Sequence, residues 1–260
     1  MPNLSVAIIC KNNQSTIGSV LESVRPLVAD GGEIVAVDSG STDKTLEILH
    51  AAGARIIQTE WRGHIATKQL AMDACEREWI LSLDSDEPVQ PDLQTTILAA
   101  LAKPDADGYR VNRKVWYKGR PLNHAWQPEW RLRLVRRGKA RWGGIDPHDK
   151  LDLIGTGIVR DLAGTLRHDS FETFIEHLGR QASYARISAQ GLAQRGERGN
   201  LWRLMTSPVG AFAKQIFIKS AWRDGVPGWL AAATAAAGAL MKHAALIEIT
   251  RTGEPPRGGA

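Results

Sequence analysis

Four short apolar runs in the first 84 residues constrain the fold more than any other feature of the chain. Each run has four to six residues and little alternation of polar and apolar side chains, a pattern typical of strands buried on both faces. Segments with helical spacing separate the runs, so the order predicts a parallel sheet with right-handed crossovers. The runs are Ser5–Cys10, Glu33–Val37, Arg55–Gln58 and Trp79–Leu83.

Helices are predicted between and after these strands. The first has Ile17, Val20 and Val24 on one face and is expected to end before Pro26, because proline disfavours helix at the preceding residue. Further helices are predicted through Thr45–Leu49, Lys68–Arg77 and Leu93–Ala102, and throughout 170–249.

Acidic residues follow two of the predicted strands. Asp38 opens the segment Asp38–Asp43, and Asp84–Glu87 follows the fourth strand. Ligands of open α/β sheets bind at the carboxyl ends of the strands, where carboxylates could hold Mg²⁺ or Mn²⁺ against two phosphates. The alternative interpretation is structural, namely an acidic turn and a turn that caps a helix.

Charge is distributed unevenly. Residues 1–103 contain 8 Lys and Arg against 14 Asp and Glu, whereas residues 104–260 contain 25 against 14. The basic part could meet phosphates or an anionic membrane. Two cysteines, Cys10 and Cys75, do not form a disulfide framework, which favours a reducing compartment.

The stretch 110–141 contains eleven Lys and Arg and a single Glu, together with tryptophans. Charge and aromatic rings could bind nucleic acid, but no recognisable module accompanies them, so no nucleic-acid partner is expected. Its arginines could instead contact phosphate or an anionic acceptor, or remain solvated. The alternation in 131–136 predicts a strand with one solvent-exposed face.

The last third of the chain has an apolar helical face that either packs on a core or lies in a membrane interface. Its residues are Val209, Phe212, Ala213, Ile216 and Phe217. The apolar run Gly228–Met241 is shorter than the roughly 20 residues of a spanning helix, and the N-terminus lacks a secretory pattern. A cytoplasmic protein, soluble or peripheral on the inner membrane face, is expected.

Taken together, the motifs resemble glycosyltransferase family 2. They occur in the family's order, as Cys10–Asn13, Asp38–Asp43, Trp61–Gly63, Lys68 and Trp79–Glu87. A looser continuation resembles the subgroup that contains bacterial lipopolysaccharide-core β-glucosyltransferases. It comprises Arg131-Leu132, Trp142, His148-Asp149, His168 and Trp222–Gly228.

The resemblance implies a GT-A-type, Rossmann-like fold, with a mainly parallel sheet flanked by helices and a C-terminal helical extension. It implies a catalytic nucleotide-sugar domain over 1–168, a helical extension over 169–250 that could associate with membrane, and a disordered tail over 251–260. The implied reaction moves a hexose from a nucleoside-diphosphate sugar, with UDP favoured, to a lipid-linked saccharide. Lipopolysaccharide core or another envelope glycan would be the product.

The resemblance also implies roles for single residues. Asp38 matches the position that recognises the base, Asp84 the position near the ribose, and Asp86 the ligand of Mg²⁺ or Mn²⁺. The other donor-binding residues it implies are Cys10, Asn12, Ser39, Lys68 and Ser85. The chain departs from the subgroup at Asn13, Gln69 and Asp149, where Glu, Asn and Glu are usual.

Inverting transfer needs a base to deprotonate the acceptor hydroxyl. Asp149, in the Gly- and Pro-rich segment 143–149, is the candidate, with Glu129 and Asp146 as alternatives. His148 and Arg131 are expected to contact diphosphate or acceptor. The segment is expected to be a loop that could fold Asp149 over the sugar, and a solvated surface loop is the structural alternative. Two other functions stay open: a non-catalytic nucleotide-sugar or glycan-binding protein, and a nucleotidyltransferase, although no Gly-rich phosphate loop is present.

Overall fold

The predicted alternation of strands and helices is present in the computed structural model, which describes residues 3–145, 148–169 and 171–252, without the side chains of Ile145, His148 and Thr252. The strands are β1 Leu4–Cys10, β2 Glu33–Asp38, β3 Arg55–Gln58, β4 Trp79–Asp84, β5 Gly108–Tyr117, β6 Arg120–Pro121, β7 Trp130–Arg136, β8 Ala140–Ile145, β9 His148–Leu153 and β10 Val159–His168. The helices are α1 Ile17–Val28, α2 Thr45–Ala51, α3 His64–Asp73, α4 Pro91–Ala102, α5 Phe174–Gln194, α6 Leu201–Ala213 and α7 Val226–Thr252.

Three predicted features lie outside the described residues. They are Asp146 as an alternative base, the side chain of His148, and residues 253–260 of the expected tail.

The main sheet has the strand order β10-β5-β7-β4-β1-β2-β3, with the short β6 paired to β5. Strands β3, β2, β1 and β4 are parallel, whereas β7 runs antiparallel to both β4 and β5. The predicted mainly parallel sheet flanked by helices is therefore confirmed, and the basic stretch supplies its antiparallel strands.

The register of β1 brings the two acidic segments to one edge of the sheet. Cys10 of β1 lies opposite Asp38 of β2, and Ile9 lies opposite Asp84 of β4. Because β1 lies between β2 and β4 and all three strands are parallel, both carboxylates lie at the same edge of the sheet, one on each side of the end of β1.

Successive residues of β1 point to opposite faces of the sheet, and each face has its own core. Leu4, Val6 and Ile8 are fully buried in the first core, to which α1, α2 and α4 contribute. Ala7 and Ile9 belong to the second core, which is built from α3 and the β8–β9 hairpin. The second face matters for the site because α3 and the hairpin carry polar side chains to the carboxyl edge.

The predicted bounds of two helices are wrong. Helix α1 continues through Pro26 to Val28. A proline in a helix costs about 3 kcal/mol, but extending α1 buries Leu27 completely, which is worth roughly 2 kcal/mol or more and offsets much of that cost. Helix α3 begins and ends four residues before its predicted bounds. It does not reach Arg77, because the N–H groups of Glu76 and Arg77 donate to Glu33 and Ser5 instead of continuing a helix.

The segment 143–149 was expected to be a loop, and for its described residues that prediction is wrong. Strands β8 and β9 form an antiparallel hairpin in which Gly144 lies opposite Asp149 and Trp142 opposite Leu151. Trp142 and Leu151 are buried in the second core. Their burial fixes the alternation along both strands, so that Asp149 has a defined position on β9.

The chain divides into two compact units: the described residues of Met1–Lys114 and Glu129–Asp169, and those of Val115–Pro128 and Ser170–Ala260. In the second unit, helices α5, α6 and α7 are present as predicted, and α7 packs against the other two. Its apolar core includes Phe171 and Ala231.

Helix α7 is longer than the apolar run considered from sequence. Within the described chain, its part Val226–Arg251 is long and apolar enough to cross a membrane by length and composition, and 28% of the most apolar window is buried. The expectation that this segment is too short to span was therefore wrong on length.

The predicted apolar face of residues 209–217 is not one face. Ile216 is buried, whereas Val209 and Phe217 are 68% and 77% exposed. A π-helical turn over Lys214–Ile218 follows α6 and changes the number of residues per turn, so the spacing of an α-helix no longer aligns these side chains.

Candidate active site

The loops that follow β1 and β2 are tied together by hydrogen bonds. Asn12 adopts a φ of 54°, and its Oδ1 accepts from the Thr42 N–H at 2.8 Å. The Asn12 N–H donates to Ser41 Oγ at 2.9 Å, and the Asn13 N–H donates to Thr45 Oγ1 at 2.8 Å. The two loops therefore form one fixed wall at the carboxyl edge.

Asp38 is fully buried at the end of β2 and closes the turn after it. Its Oδ2 accepts from the N–H groups of Gly40 and Ser41, both at 3.0 Å. The Cys10 thiol donates to Asp38 Oδ1 at 3.7 Å, and burial together with the charge of Asp38 raises the pKa of Cys10 to about 12. Ser39 Oγ is buried without a hydrogen-bond partner in the described residues. Asp38 thus has the structural role of the turn interpretation, as the acceptor that closes the turn after β2.

Lys68, on α3, joins two carboxylates that are distant in sequence. Its Nζ lies 2.7 Å from Asp84 Oδ1 and 2.8 Å from Asp149 Oδ2, and its side chain is 5% exposed. The ammonium also lies 4.7 Å from the centre of the Trp142 ring. Burial alone would raise the pKa of Asp84, but the positive charges of Lys68 and Arg133 outweigh it and hold that pKa well below its usual range.

Glu87 is the centre of a buried ionic network. It is fully buried, and its Oε1 accepts from Arg133 Nη2 at 2.6 Å and from Arg113 Nη1 at 3.1 Å. Its Oε2 accepts from the Asp84 N–H at 3.0 Å. Arg133, expected to be a solvated or phosphate-binding residue, is 3% exposed and bound to carboxylates. The last residue of the acidic signature therefore holds the loop in place.

Glu129, one alternative base, is part of the same network. Arg113 Nη2 and Arg131 Nη2 both lie 2.7 Å from its Oε1. Burial would raise the pKa of Glu129, but hydrogen bonds and charge from Arg113 and Arg131 lower it to about 2. A carboxylate with so low a pKa is a weak base for a hydroxyl proton, so the structure disfavours Glu129 in that role.

Asp86 lies beside a histidine and outside the arginine pairs. His168 Nε2 is 3.6 Å from Asp86 Oδ2, and His168 Nδ1 is buried with no hydrogen-bond partner among the described residues. Desolvation, followed by the charges of Asp84 and Glu87, raises the pKa of Asp86 to about 7. Desolvation and the charge of Arg113 lower the pKa of His168 to about 3, so its imidazole is neutral. A carboxyl group and a neutral imidazole side by side form a pair that a divalent cation would stabilise.

This pair is the part of the site suited to a metal. Within the described chain, no group of three or more His, Cys, Asp or Glu residues converges as a metal cluster. Mg²⁺ and Mn²⁺ bound with a diphosphate need only one or two protein ligands, so a pair such as Asp86 and His168 would be enough to hold one.

The structure brings most of the predicted site residues together. Lys68, Asp84 and Asp149 are in direct contact, and Ser85 lies buried between Asp84 and Asp86. Arg131 contacts Glu129. Whether these residues bind donor and acceptor stays a prediction.

Several site residues were not assigned a role from sequence. Glu87 and Arg113 belong to the buried network, Trp142 lies against Lys68, and His168 lies beside Asp86. Two sequence features pointed to the network. They are the acidic loop after the fourth strand, in the acidic part of the chain, and a later strand that is unusually rich in arginine. Their pairing depends on β7 lying next to β4, which single-sequence patterns do not reveal.

Comparisons with known proteins agree on one family. The sequence profile of glycosyl transferase family 2 matches residues 5–159. The chain is 30% identical to the lipopolysaccharide core biosynthesis glycosyltransferase LpsC of Rhizobium meliloti, covering 94% of this chain and 92% of that protein. It is 28% identical to an uncharacterized glycosyltransferase of Rickettsia typhi, covering 96% of this chain and 88% of that protein.

Solved structures match more partially. Glucosyl-3-phosphoglycerate synthase from Mycobacterium tuberculosis, in complex with phosphoglyceric acid, is 26% identical over 45% of this chain and 44% of that chain, with a TM-score of 0.35. The same enzyme with Mn²⁺, UDP and phosphoglyceric acid aligns over 73% of this chain and 77% of that chain, with 20% identity and a TM-score of 0.46.

The family profile covers more than half of the chain, and LpsC matches it almost from end to end. The implied GT-A-type architecture agrees with the mixed sheet and its flanking helices. The chain belongs to glycosyltransferase family 2.

Proposed function

We propose that this glycosyltransferase moves a hexose from a nucleoside-diphosphate sugar, with UDP favoured, to a lipid-linked saccharide with inversion at the anomeric carbon. The observation that carries the proposal is the set of groups gathered at one sheet edge. Asp38 and Asp84 end the two strands that flank β1, Lys68 bridges Asp84 to Asp149, and Asp86 lies beside His168. In this proposal the arrangement would supply a wall for the nucleotide, a base and a cation site along one edge of the sheet.

Asp86 and His168 would hold the divalent cation, Mg²⁺ or Mn²⁺. The carboxyl of Asp86 has its pKa raised to about 7 mainly by desolvation and by neighbouring carboxylates, an environment that a cation would relieve. When bound, the cation would neutralise charge on the departing diphosphate. The loops after β1 and β2, with the hydroxyl of Ser39, would bind the nucleoside.

Asp149 is the proposed base. It would take the proton of the acceptor hydroxyl while the hydroxyl oxygen forms a bond to the anomeric carbon, and the bond from that carbon to the diphosphate oxygen breaks on the opposite side. Lys68 fixes Oδ2 of Asp149 at 2.8 Å, so we assign the proton to the other carboxylate oxygen. The hairpin β8–β9 supports this position, because its residues Trp142 and Leu151 are buried in the second core.

The acceptor is proposed to belong to lipopolysaccharide core or another envelope glycan. Support comes from the match to LpsC, a lipopolysaccharide core biosynthesis glycosyltransferase, over nearly all of both chains. Such an acceptor would be met on the inner face of the cytoplasmic membrane, so a cytoplasmic, peripheral location is part of the proposal.

The test begins with donor binding. A panel of nucleotide-sugars is screened for thermal stabilisation with and without Mn²⁺, because a ligand that binds only the folded state raises its stability. Asp86→Asn should abolish Mn²⁺-dependent stabilisation by the donor and lower transfer at least about 100-fold, since it removes a charged cation ligand. Asp161→Asn is the matched control, because Asp161 is an exposed aspartate paired with Arg110 on the same unit.

Two results would contradict the proposal. Donor-dependent stabilisation that is the same in Asp86→Asn and in the wild type would remove Asp86 from the cation site. Tight donor binding by the wild type without hydrolysis or transfer of any sugar would favour a non-catalytic binding protein.

A further inference from the structure

Exposed apolar side chains are concentrated in one part of the second unit. Of the 18 large hydrophobic residues that are exposed in the described chain, 10 lie within the 30 residues 201–230. These ten, the apolar surface, are Leu201, Trp202, Met205, Val209, Phe217, Ile218, Trp222, Val226, Trp229 and Leu230. Scattered exposed hydrophobic residues are normal, but a concentration of this kind marks an interaction site.

Helix α6 contributes a continuous stripe to the apolar surface. Leu201, Met205 and Val209 are four residues apart and therefore lie on one side of the helix. Each of them is more than 60% exposed, and Trp202 beside them is 77% exposed. No residue of α6 is buried, although the helix packs against α7.

The segment after α6 is firmly anchored, so its exposed residues are not a frayed end. Gln215 and Ile216 are buried, and Gln215 Oε1 accepts from the Trp126 N–H at 3.1 Å. The next two residues, Phe217 and Ile218, are 77% and 75% exposed. The π-helical turn thus turns two residues inward and presents two apolar residues to the outside.

Asp224 fixes the following turn in the same way. Its carboxylate accepts from the N–H groups of Asn123, His124 and Ala125 at 2.8 to 3.0 Å. Trp222, two residues earlier, is 54% exposed on this fixed turn.

The charges around the apolar surface are almost all positive. Residues 201–230 contain Arg203, Lys214, Lys219 and Arg223, and their single acidic residue is Asp224. Asp224 is engaged by three backbone N–H groups, and Arg203 pairs with Glu197 at 2.8 Å. The surface therefore presents the cations Lys214, Lys219 and Arg223 to a partner. Three of the chain's nine tryptophans are on the apolar surface, and exposed tryptophan beside basic residues is typical of the boundary between lipid headgroups and acyl chains.

From these observations we infer that the apolar surface docks on an anionic lipid bilayer, with its aromatic and aliphatic side chains at the headgroup boundary and its lysines and arginines against lipid phosphates. This inference rests on the proposed function, because docking on the bilayer would hold the enzyme at its proposed lipid-linked acceptor. In this inference helix α7 packs on α5 and α6, contributes Val226, Trp229 and Leu230 to the apolar surface, and does not cross the bilayer.

The test is flotation of the full chain with vesicles. Phosphatidylcholine vesicles are compared with vesicles that contain roughly one quarter phosphatidylglycerol, at low and high salt. The wild type should float with the anionic vesicles and bind the neutral ones at least about tenfold more weakly. The double variant Trp202→Ser/Phe217→Ser should lose anionic binding by about fifty-fold or more, because it removes two aromatic side chains from the boundary.

The matched control is Ile175→Ser, which removes an apolar residue that is 80% exposed on α5 of the same unit but lies outside the apolar surface. It should float like the wild type. All the substituted residues are exposed, so thermal unfolding should be unchanged, and that measurement accompanies each variant.

Equal flotation of the double variant and the wild type, or no flotation of the wild type, would overturn the inference. A dimer that the double variant dissociates, seen by light scattering, would assign the surface to a second copy instead. Resistance of the membrane-bound chain to alkaline carbonate would mean that α7 spans the bilayer, which also overturns it. Metal-dependent hydrolysis of the donor is also measured without vesicles. If hydrolysis is present while membrane binding fails, only the membrane inference fails and the proposed function stands.

Discussion

Replacing Glu87 by glutamine tests whether the acidic signature is divided between a cation site and a structural network. The substitution keeps the size of the side chain and removes its charge. In the native protein that charge lies 2.6 Å from Arg133 and 3.1 Å from Arg113, and Glu87 has no solvent exposure. The amide nitrogen of glutamine would also place a donor where the Asp84 N–H or a guanidinium now donates.

The magnitude follows from this burial. Breaking a buried ion pair by removing one partner costs about 3–5 kcal/mol, because the remaining charge is left uncompensated. For a domain of about 150–250 residues, each kcal/mol lowers Tm by roughly 2–4 °C, so Glu87→Gln should unfold about 6–20 °C below the wild type. Thermal unfolding and urea titration of the full chain measure the change in the free energy of unfolding.

The control is Glu78→Gln. Glu78 is 52% exposed and pairs with Arg136, and exposed pairs contribute about 0–1 kcal/mol. A loss of less than about 1 kcal/mol in Glu87→Gln, equal to that of the control, would refute the assignment of Glu87 to a structural network.

Two further predictions concern the proposed base and the thiols. Asp149→Asn should keep thermal stabilisation by the donor and lower transfer at least about 100-fold, and transfer at the wild-type rate would exclude Asp149 as the base. Burial raises the pKa of Cys10 and of Cys75 from the ordinary 9.0 to about 12, so the native thiols should react with a thiol reagent at pH 8 far more slowly than in denaturant. The thiols of the unfolded chain ionise at lower pH than those of the folded protein. The two buried thiols therefore leave the free energy of unfolding unchanged below pH 9 and lower it as the pH rises from 9 towards 12. Rapid labelling of both thiols in the folded protein would contradict their burial.

The parallel part of the sheet was predictable because its signals are local. Uninterrupted apolar runs such as Ser5–Cys10 identify buried strands, and the parallel arrangement alone places Asp38 and Asp84 at one edge. The position of acidic residues at strand ends was therefore more informative than their spacing.

The environment of Arg133 was not predictable, because its partners are 46 and 49 residues away. Alternation along β7 indicates a face without large apolar residues, and a solvated face is the usual outcome of that pattern. Here the charges of Glu87 and Asp84 replace the solvent. The same limit applies to Asp149, whose position depends on the burial of Trp142 by a sheet that the local sequence does not show.

The ionic network has a consequence for how this family member can be altered. Its four cations and four carboxylates balance formally, and they are Lys68, Arg113, Arg131 and Arg133 with Asp84, Glu87, Glu129 and Asp149. Replacing one member leaves a net charge among groups that are mostly shielded from water. Directed evolution of donor preference should therefore progress by paired exchanges of opposite charge, whereas single substitutions at these positions should mainly lower the stability of the protein.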